Sequence, residues 1–237
     1  MKKLLTIVVF GQSDGGRSDT LYSGVELIYA DGNIPAAVKQ AKGKYIIVEN
    51  RTFLFKDVQP FLDALESATQ DVIRFNGGSA FKCSLFKGVA DKNDCFAFCA
   101  FAAFNAKTVA YFEYAPFIFS SVRCDFDSEE KHLIDTCYEF KRIKAKLSKE
   151  AYAFVFELIL ERLLLFYACA LISIREGKIT ADKLLEFDKN LKDEIVLYLA
   201  LDKRFGGGKL TKIRNKGFKI SGLTSKRYKK ILKIKDA

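Results

Sequence analysis

The hydrophobic pattern of the chain changes near its middle. In the first half, short apolar runs alternate with segments whose apolar positions recur at helical spacing. The runs near residues 4–10, 25–30, 44–49 and 71–75 have the length and composition of β-strands. Strands that alternate with short helices are typical of a right-handed, parallel α/β sheet, and we predict such a sheet here.

The second half of the chain has a helical pattern up to about residue 202. Ser128 and Thr180 are each followed by acidic residues, as N-cap residues are, so we expect helices to begin at both. The most apolar segment, 151–174, contains charged residues. Its uninterrupted part, 163–174, is shorter than the roughly 20 residues that span a bilayer. We interpret this segment as a buried helix.

These two patterns define the predicted organisation of the chain. We expect an α/β fold, with a mostly parallel, Rossmann-like sheet in residues 1–125 and a helical C-terminal region in residues 126–202. Glycines at 206–208 then interrupt the sequence, and we predict a basic tail over residues 203–237.

The net charge of +10 is concentrated in that tail. Residues 203–237 hold 13 of the 39 Lys and Arg residues and one of the 29 acids, so the remaining 26 basic and 28 acidic residues nearly balance. The tail mixes its lysines with Phe, Ile, Leu and Tyr, which suits an anionic membrane surface. Nucleic-acid phosphates would also attract it, but no nucleic-acid-binding motif accompanies it, so we predict no nucleic-acid partner. A purely solubilising tail is the alternative.

The chain has six cysteines and a single histidine, His132, and these numbers limit the redox and metal sites that it can form. The cysteines form no CxxC pair, and one histidine is too few for the usual zinc clusters. We expect reduced, mostly buried thiols in a cytoplasmic protein. The apolar run at 4–10 is followed by no small-residue cleavage site, which favours a first strand over a signal peptide.

Three stretches of the sequence carry a family resemblance. They are "ELIYADGN", "NIPAAVKQAKGKYIIVENRT" and "KNDCFAF". As a combined pattern they resemble the family 2 glycosyltransferases, and the matching positions include Asp31, Asn33, Gly43 and Tyr45. Each stretch is a weak signal alone, and the whole pattern extends over about residues 3–122.

The resemblance implies a fold and a set of substrate-binding residues. The fold is the A-type fold of nucleotide-diphospho-sugar transferases, whose ligand crevice lies at the carboxyl ends of the sheet strands. Gln12 follows the first strand and Asp31 follows the second. Asn50, Arg51 and Thr52 follow the third. The resemblance implies that these five residues face a nucleotide-diphospho-sugar.

The family's metal-binding Asp-x-Asp falls on Asn50, Arg51 and Thr52, so both carboxylates are absent. A divalent cation normally neutralises the leaving diphosphate, and neutral Asn and Thr oxygens are poor replacements for two charged ligands. We therefore predict no metal ligands and no cofactor, and little effect of Mn²⁺ or Mg²⁺ on nucleotide binding. Arg51 is either a fixed cation for phosphate or a solvated loop residue. Glu49 is shifted by one residue onto the other face of the strand.

Asp94 is the predicted catalytic residue. The resemblance of "KNDCFAF" to the family's Glu-Asp-x-x-Phe motif places Asp94 on the general base that takes the acceptor's proton. The alternative is a helix N-cap, because Asp is a preferred capping residue and a helical segment follows it. A catalytic Asp94 should face an open pocket, whereas a capping Asp94 should turn inward onto the backbone N–H groups of Ala97 or nearby residues.

Two functions of different classes follow from these residues. The first is a glycosyltransferase-like protein of bacterial surface polysaccharide or glycolipid synthesis, with weak or no transferase activity. The second is a non-catalytic binding or scaffold protein with the same fold, acting with an active, homologous transferase as its partner. In both cases we expect a cytoplasmic protein that is peripheral on the inner face of the membrane, bound there through the 203–237 tail.

Overall fold

The chain forms two compact units in a computed structural model. The first unit consists of residues 1–120 and 146–155, and the second of residues 121–145 and 156–237. The structure describes residues 3–10, 22–50, 53–89, 94–119, 126–206 and 208–219.

The first unit contains a six-stranded sheet and a two-stranded sheet. The larger sheet has the order β2-β1-β3-β6-β5-β7, and β4 pairs with β8. The four strands predicted from the apolar runs are confirmed as β1, β2, β3 and β5. The strands are β1 (Leu5–Phe10), β2 (Val25–Ala30), β3 (Tyr45–Glu49), β4 (Phe53–Phe55), β5 (Val72–Phe75), β6 (Gly78–Lys82), β7 (Val109–Phe112) and β8 (Phe117–Phe119).

The larger sheet is mixed but mostly parallel, as expected, because only β6 runs against the other five strands. β1 runs parallel to β2 and β3, and β5 runs parallel to β7. β6 is antiparallel to both of its neighbours, because it forms a hairpin with β5 through Asn76 and Gly77. Gly77 has a φ of 99°, and Asn-Gly is the pair that best tolerates the positive φ of a two-residue hairpin turn. The α/β class itself is confirmed.

Helices connect the strands and make up most of the second unit. α4 begins at Phe126, so Ser128 lies inside its first turn, and the prediction that Ser128 is an N-cap is wrong. Thr180 is the residue before α6, as predicted, although its side chain makes no capping hydrogen bond. The helices are α1 (Ile34–Gln40), α2 (Gln59–Ser67), α3 (Cys95–Ala103), α4 (Phe126–Ile143), α5 (Lys149–Arg175), α6 (Ala181–Leu191), α7 (Ile195–Arg204) and α8 (Lys209–Arg214).

Phenylalanines fill both faces of the six-stranded sheet. On the face covered by α2, the rings of Phe61 and Phe75 lie edge to face with centroids 5.1 Å apart. On the opposite face, Phe86 and Phe98 stack with centroids 5.1 Å apart, and Phe81 of β6 packs against Phe86. Helix α3 is therefore held against the sheet by aromatic contacts, and this places its first residue beside the end of β3.

A close contact between β1 and the residues before β3 fixes the spacing of the central strands. The N–H of Gly43 donates to Thr6 Oγ1 at 2.9 Å, and the fully buried Thr6 hydroxyl donates to Glu26 Oε2 at 2.7 Å. A Cβ on residue 43 would lie 2.5 Å from the backbone N of Thr6, which is closer than real atoms approach. Only glycine fits at this position.

A buried ionic cluster holds the second unit. Asp188 of α6 accepts hydrogen bonds from Arg214 Nε at 2.8 Å and from the hydroxyl of Tyr167. The guanidinium of Arg214 also stacks on Tyr198, with its carbon 3.7 Å from the ring centroid. Asp188 is 6% exposed and Arg214 is 8% exposed, so the pair is almost completely desolvated.

The first part of the predicted basic tail, up to residue 219, contributes buried side chains to this unit. α8 contacts α7, and the side chains of Leu210 and Phe218 are fully buried. These two core side chains, and the ion pair of Arg214 with Asp188, hold the segment against the rest of the unit. The remainder of the predicted tail, 220–237, lies outside the described residues.

Within the ranges that the structure describes, no helix has the length and apolar character needed to cross a membrane. The 27-residue helix α5, which includes the most apolar segment, carries Glu157, Glu161 and Arg162 within its length. Glu157 pairs with Arg204 at 2.6 Å and Arg162 pairs with Glu129 at 2.7 Å. These charges are therefore part of the packing of a protein helix.

Candidate functional site

The three parallel strands β1, β2 and β3 end at the same edge of the sheet. Phe10 pairs with Ala30, and Val9 pairs with Glu49. Asp31 and Asn50 come next in the chain after β2 and β3, so both lie at this edge on either side of β1. Two strand spacings separate them, which is about 10 Å. Ligands of open α/β sheets bind in the crevice beyond such an edge.

Asp31 lies in a tight turn between β2 and α1. The N–H of Gly32 donates to the Ala30 carbonyl at 2.7 Å, and Gly32 has a φ of 77°. Asn33 then caps α1, accepting at Oδ1 from the N–H of Ala36 at 2.9 Å. The turn leaves Asp31 exposed to solvent. Its carboxylate is therefore accessible to a ligand at the edge of the sheet.

Asn50 and Glu49 occupy the end of β3. Asn50 is exposed, and its backbone N–H donates to Glu49 Oε1 at 3.0 Å. Glu49 is 8% exposed. Because side chains alternate along a strand, Glu49 shares a face with Tyr45 and Ile47, the apolar face under α2. A carboxylate is thus present near the predicted donor position, but it is buried and committed to the backbone.

Asp94 acts as the N-cap of α3. Its Oδ1 accepts from the N–H of Ala97 at 2.8 Å, and its backbone is extended, as in other N-caps. This is the geometry expected for the capping alternative. The same carboxylate is near the sheet edge, since its charge acts on the Cys99 thiol one turn further along α3.

Cys99 of α3 lies close to the end of β3. Its Sγ lies 4.0 Å from the Val48 carbonyl of β3. Burial, followed by the charges of Glu49 and Asp94, raises the pKa of the Cys99 thiol far above its usual range. The thiol therefore stays protonated and is a poor nucleophile at neutral pH. Sequence reasoning did not single out this residue, because its only signal was its position one turn after Asp94.

A divalent cation does not fit the residues described at this edge. Asn50 offers a neutral oxygen, Glu49 is hydrogen-bonded and buried, and Asp94 caps a helix. Among the described residues, no group of three or more His, Cys, Asp or Glu side chains is arranged to hold a metal ion. No catalytic step is therefore derived through a metal. Of the other predicted site residues, Gln12, Arg51 and Thr52 lie outside the described residues.

The remaining residues of the resembling segment support the fold. Lys44 Nζ donates to three carbonyl oxygens at the end of α2, those of Leu65, Glu66 and Ala68, at 2.7 to 3.0 Å. The hydroxyl of Tyr45 donates to the Gln70 carbonyl at 2.7 Å. Burial, followed by the nearby charge of Asp71, raises the pKa of Tyr45 to about 12, so it remains a hydroxyl donor.

A cavity of about 360 Å³ lies at the opposite end of the sheet, where β1, β2 and β3 begin. Its walls include Leu4, Gly24 and Leu62, together with Asp63 and the side chain of Lys44. The ammonium of Lys44 is already bonded to the α2 carbonyls, so it is not available to bind an anion. We assign no ligand to this cavity.

No protein-family model matches the chain, and no curated protein matches it.

Proposed function

We propose that the chain is a glycosyltransferase-like protein of bacterial surface polysaccharide or glycolipid synthesis, with weak or no transferase activity of its own. The A-type, nucleotide-diphospho-sugar-binding fold is part of this proposal. Its support is the segment from Asp31 to Asn50, which places polar residues at the carboxyl edge of an α/β sheet and whose Gly43, Lys44 and Tyr45 serve the packing of that sheet.

The state of Asp94 is the single observation that carries the loss of activity. A general base must have a lone pair directed at the acceptor hydroxyl. Asp94 directs Oδ1 at the N–H of Ala97, which leaves one carboxylate oxygen for an acceptor hydroxyl, and Asn50, at the end of β3, is neutral. A crevice with one exposed carboxylate, Asp31, and no described carboxylate pair is too poor in charge to hold a cation-bound diphosphate.

A non-catalytic binding or scaffold protein with the same fold is the second candidate. It is favoured by the same residues, because Glu49, Asp94 and Cys99 are all committed to packing or capping at the edge where chemistry would occur. In this case the partner is an active, homologous transferase, and the edge binds a nucleotide-diphospho-sugar weakly or not at all.

Substitution of Asp94 tests the proposal. Asp94→Asn keeps a capping side chain, so the free energy of unfolding should hardly change, whereas Asp94→Ala should lower it by about 1 kcal/mol. Release of nucleoside diphosphate from nucleotide-sugars should be equally slow in the unmodified chain and in Asp94→Asn. Rapid release that Asp94→Asn abolishes, at unchanged stability, would show that Asp94 is a base and that the protein is an active transferase.

The proposal includes a peripheral location on the inner face of the membrane, in a cytoplasmic protein. Its support is charge: the segment from residue 203 onward has 13 basic residues and one acid. Apart from Arg214, which is buried against Asp188, each basic residue attracts anionic lipid headgroups by about 1 kcal/mol when close to the surface. Such attraction weakens as salt screens the charges. Binding to anionic vesicles that is lost at high ionic strength is the expected behaviour.

A further inference from the structure

Helix α7 exposes an unusual amount of apolar surface. Ile195, Val196 and Leu199 are 52%, 42% and 60% exposed. Large hydrophobic side chains are exposed at only four other positions of the described chain, and these lie on four different elements: Tyr29, Leu54, Tyr111 and Tyr138. The three exposed side chains of α7 therefore form a concentrated patch, whereas single exposed hydrophobic residues are ordinary.

The helix has two apolar faces. At about 100° per residue, Ile195, Val196 and Leu199 lie within one arc of roughly 100°. Leu197 and Leu201 project from the opposite side and are fully buried in the second unit. A surface helix normally pairs one apolar face with a polar one. The exposed arc of α7 does not pack against its own unit. We call its three side chains, those of Ile195, Val196 and Leu199, the α7 outer face.

Basic residues surround the α7 outer face. Lys203 falls within the same arc at the end of the helix, and Lys192 is exposed just before its start. Two acids lie close by: Asp193 is exposed between Lys192 and the start of the helix, and Asp202, at the rim of the arc, accepts at Oδ1 from the N–H of Thr211 at 2.7 Å. An apolar centre with lysines at both ends is typical of helices that lie in a membrane interface.

The chain that follows α7 extends this basic surface. Lys209, Lys212, Lys216 and Lys219 are all exposed. The sequence from residue 220 to the end adds six Lys or Arg residues and a single acid. The chain that follows the α7 outer face is therefore strongly cationic, and its described lysines, in the same unit, are open to solvent.

We propose that the α7 outer face inserts into the interface of an anionic lipid bilayer while the neighbouring lysines bind its headgroups. This deepens the peripheral location proposed above and rests on it, because it assigns the apolar contact to the folded body and not to the tail. Nucleic acid would use the lysines but not three exposed aliphatic side chains. A second copy would bring two strongly basic segments together, which electrostatic repulsion opposes.

A single tryptophan reports the insertion directly, since the chain contains none. We would place it in the full-length chain as Leu199→Trp and, as a matched control on an exposed helix position of the same unit, as Tyr138→Trp. With vesicles of phosphatidylcholine and phosphatidylglycerol, the emission of Leu199→Trp should shift to the blue, as an indole does on leaving water. The emission of Tyr138→Trp should stay unchanged, and vesicles of phosphatidylcholine alone should shift neither.

Vesicle sedimentation separates this inference from the proposed location. Replacing both Ile195 and Leu199 by Ser should weaken binding of the full-length chain to anionic vesicles by about tenfold or more, because two aliphatic anchors are lost. Tyr138→Ser should bind like the unmodified chain. Thermal melts of both variants establish that they are folded.

Each outcome has one meaning. If the unmodified chain fails to bind anionic vesicles, the peripheral location and the α7 inference are both overturned. If it binds, but the Leu199→Trp emission does not shift and the Ser variant binds equally well, the location stands and the α7 inference is overturned. Self-association that buries Leu199→Trp without lipid would identify a second copy as the occupant and would also overturn it.

Discussion

Gly43, Lys44 and Tyr45 illustrate how residues of the resembling segment can serve the fold alone. Gly43 allows the backbone to approach Thr6, Lys44 binds the carbonyls that end α2, and Tyr45 is bonded to Gln70. None of these atoms faces the carboxyl edge of the sheet, where a ligand would bind. A protein can therefore keep such a segment for packing after the residues that perform chemistry have changed.

The contact between Gly43 and Thr6 gives a sharp test of this interpretation. Gly43→Ala would place a methyl group 2.5 Å from a backbone nitrogen, and backbone cannot move aside as a flexible side chain can. We expect the free energy of unfolding to fall by about 1–3 kcal/mol, as for other overpacked sites. Chemical denaturation would measure it.

Gly24→Ala is the matched control, because its added methyl would meet only the flexible end of Leu62, at 3.3 Å. Its effect should be much smaller. Equal effects of the two substitutions would mean that Gly43 does not set the spacing of β1 and β3.

Asp71 is a second residue whose role can be measured, in this case by pH. Burial acts to raise its pKa, but hydrogen bonds from the N–H of Lys107, from Lys82 and from the N–H of Thr108 lower it overall. The folded state therefore favours the carboxylate. This contribution to stability is fully present above the ordinary Asp pKa of about 3.9 and is lost as pH falls through the lowered value.

Comparison of the unmodified chain with Asp71→Asn isolates this contribution. The difference in free energy of unfolding between the two should be largest near neutral pH and should shrink below about pH 4. Urea denaturation across that pH range would measure it. A difference that is constant with pH would show that the carboxylate charge of Asp71 is not used.

The hairpin of β5 and β6 shows what the sequence pattern missed at the scale of elements. The Asn76-Gly77 pair was a turn signal, but the short segment after it was not recognised as a strand. β6 inserts between β3 and β5, and that non-local pairing makes the sheet mixed. Local periodicity predicts strands and helices, whereas strand order depends on contacts between distant segments.

Helix α8 was missed for a related reason. The lysines from residue 203 onward suggested a solvated tail, and composition does not reveal that Arg214 meets Asp188 inside the second unit. The apolar signals were Leu210 and Phe218, which are isolated among basic residues. Two core side chains and one ion pair are enough to fasten a short helix, although its average composition is that of an exposed segment.

The ion pair of Arg214 and Asp188 tests the placement of α8. Arg214→Met should lower the free energy of unfolding by about 3–5 kcal/mol, because it leaves Asp188 buried without its cation. The double variant Arg214→Met, Asp188→Asn should recover part of this loss. Thermal and chemical denaturation would measure the free energy of unfolding of the unmodified chain, the single variant and the double variant.

Arg204→Met is the matched control for this test. Arg204 pairs with Glu157 at 2.6 Å, but both side chains are solvent-exposed, so its loss should cost less than about 1 kcal/mol. If Arg214→Met costs no more than Arg204→Met, then α8 is not docked through Asp188, and residues 208–219 would be an appendage as the sequence pattern suggested.

At the scale of the whole molecule, the α/β class and the four principal strands were predictable because their apolar runs are unambiguous. The candidate site was predictable only as a location. That Asp94 caps α3 could be stated as an alternative, but the choice needed the position of Ala97 N–H, which propensities do not fix. The burial of Glu49 at the end of β3 likewise depends on the packed sheet.

The described residues at the carboxyl edge of the sheet offer no carboxylate pair for a cation-dependent donor site. A variant with Asn50→Asp and Thr52→Asp places carboxylates at the two positions that the proposed resemblance aligns with a metal-binding Asp-x-Asp. If the fold is that of a nucleotide-diphospho-sugar transferase, this variant should gain Mn²⁺-dependent nucleotide binding. It thereby serves as the positive control for the unmodified chain.

Calorimetric titration of the unmodified chain with uridine diphosphate, in the presence and absence of Mn²⁺, tests the claim most directly. We predict either no binding in both conditions or the same dissociation constant in both, because Asn50 and Thr52 offer no charge to a divalent cation. An affinity that rises tenfold or more with Mn²⁺, which is about 1.4 kcal/mol, would contradict the account.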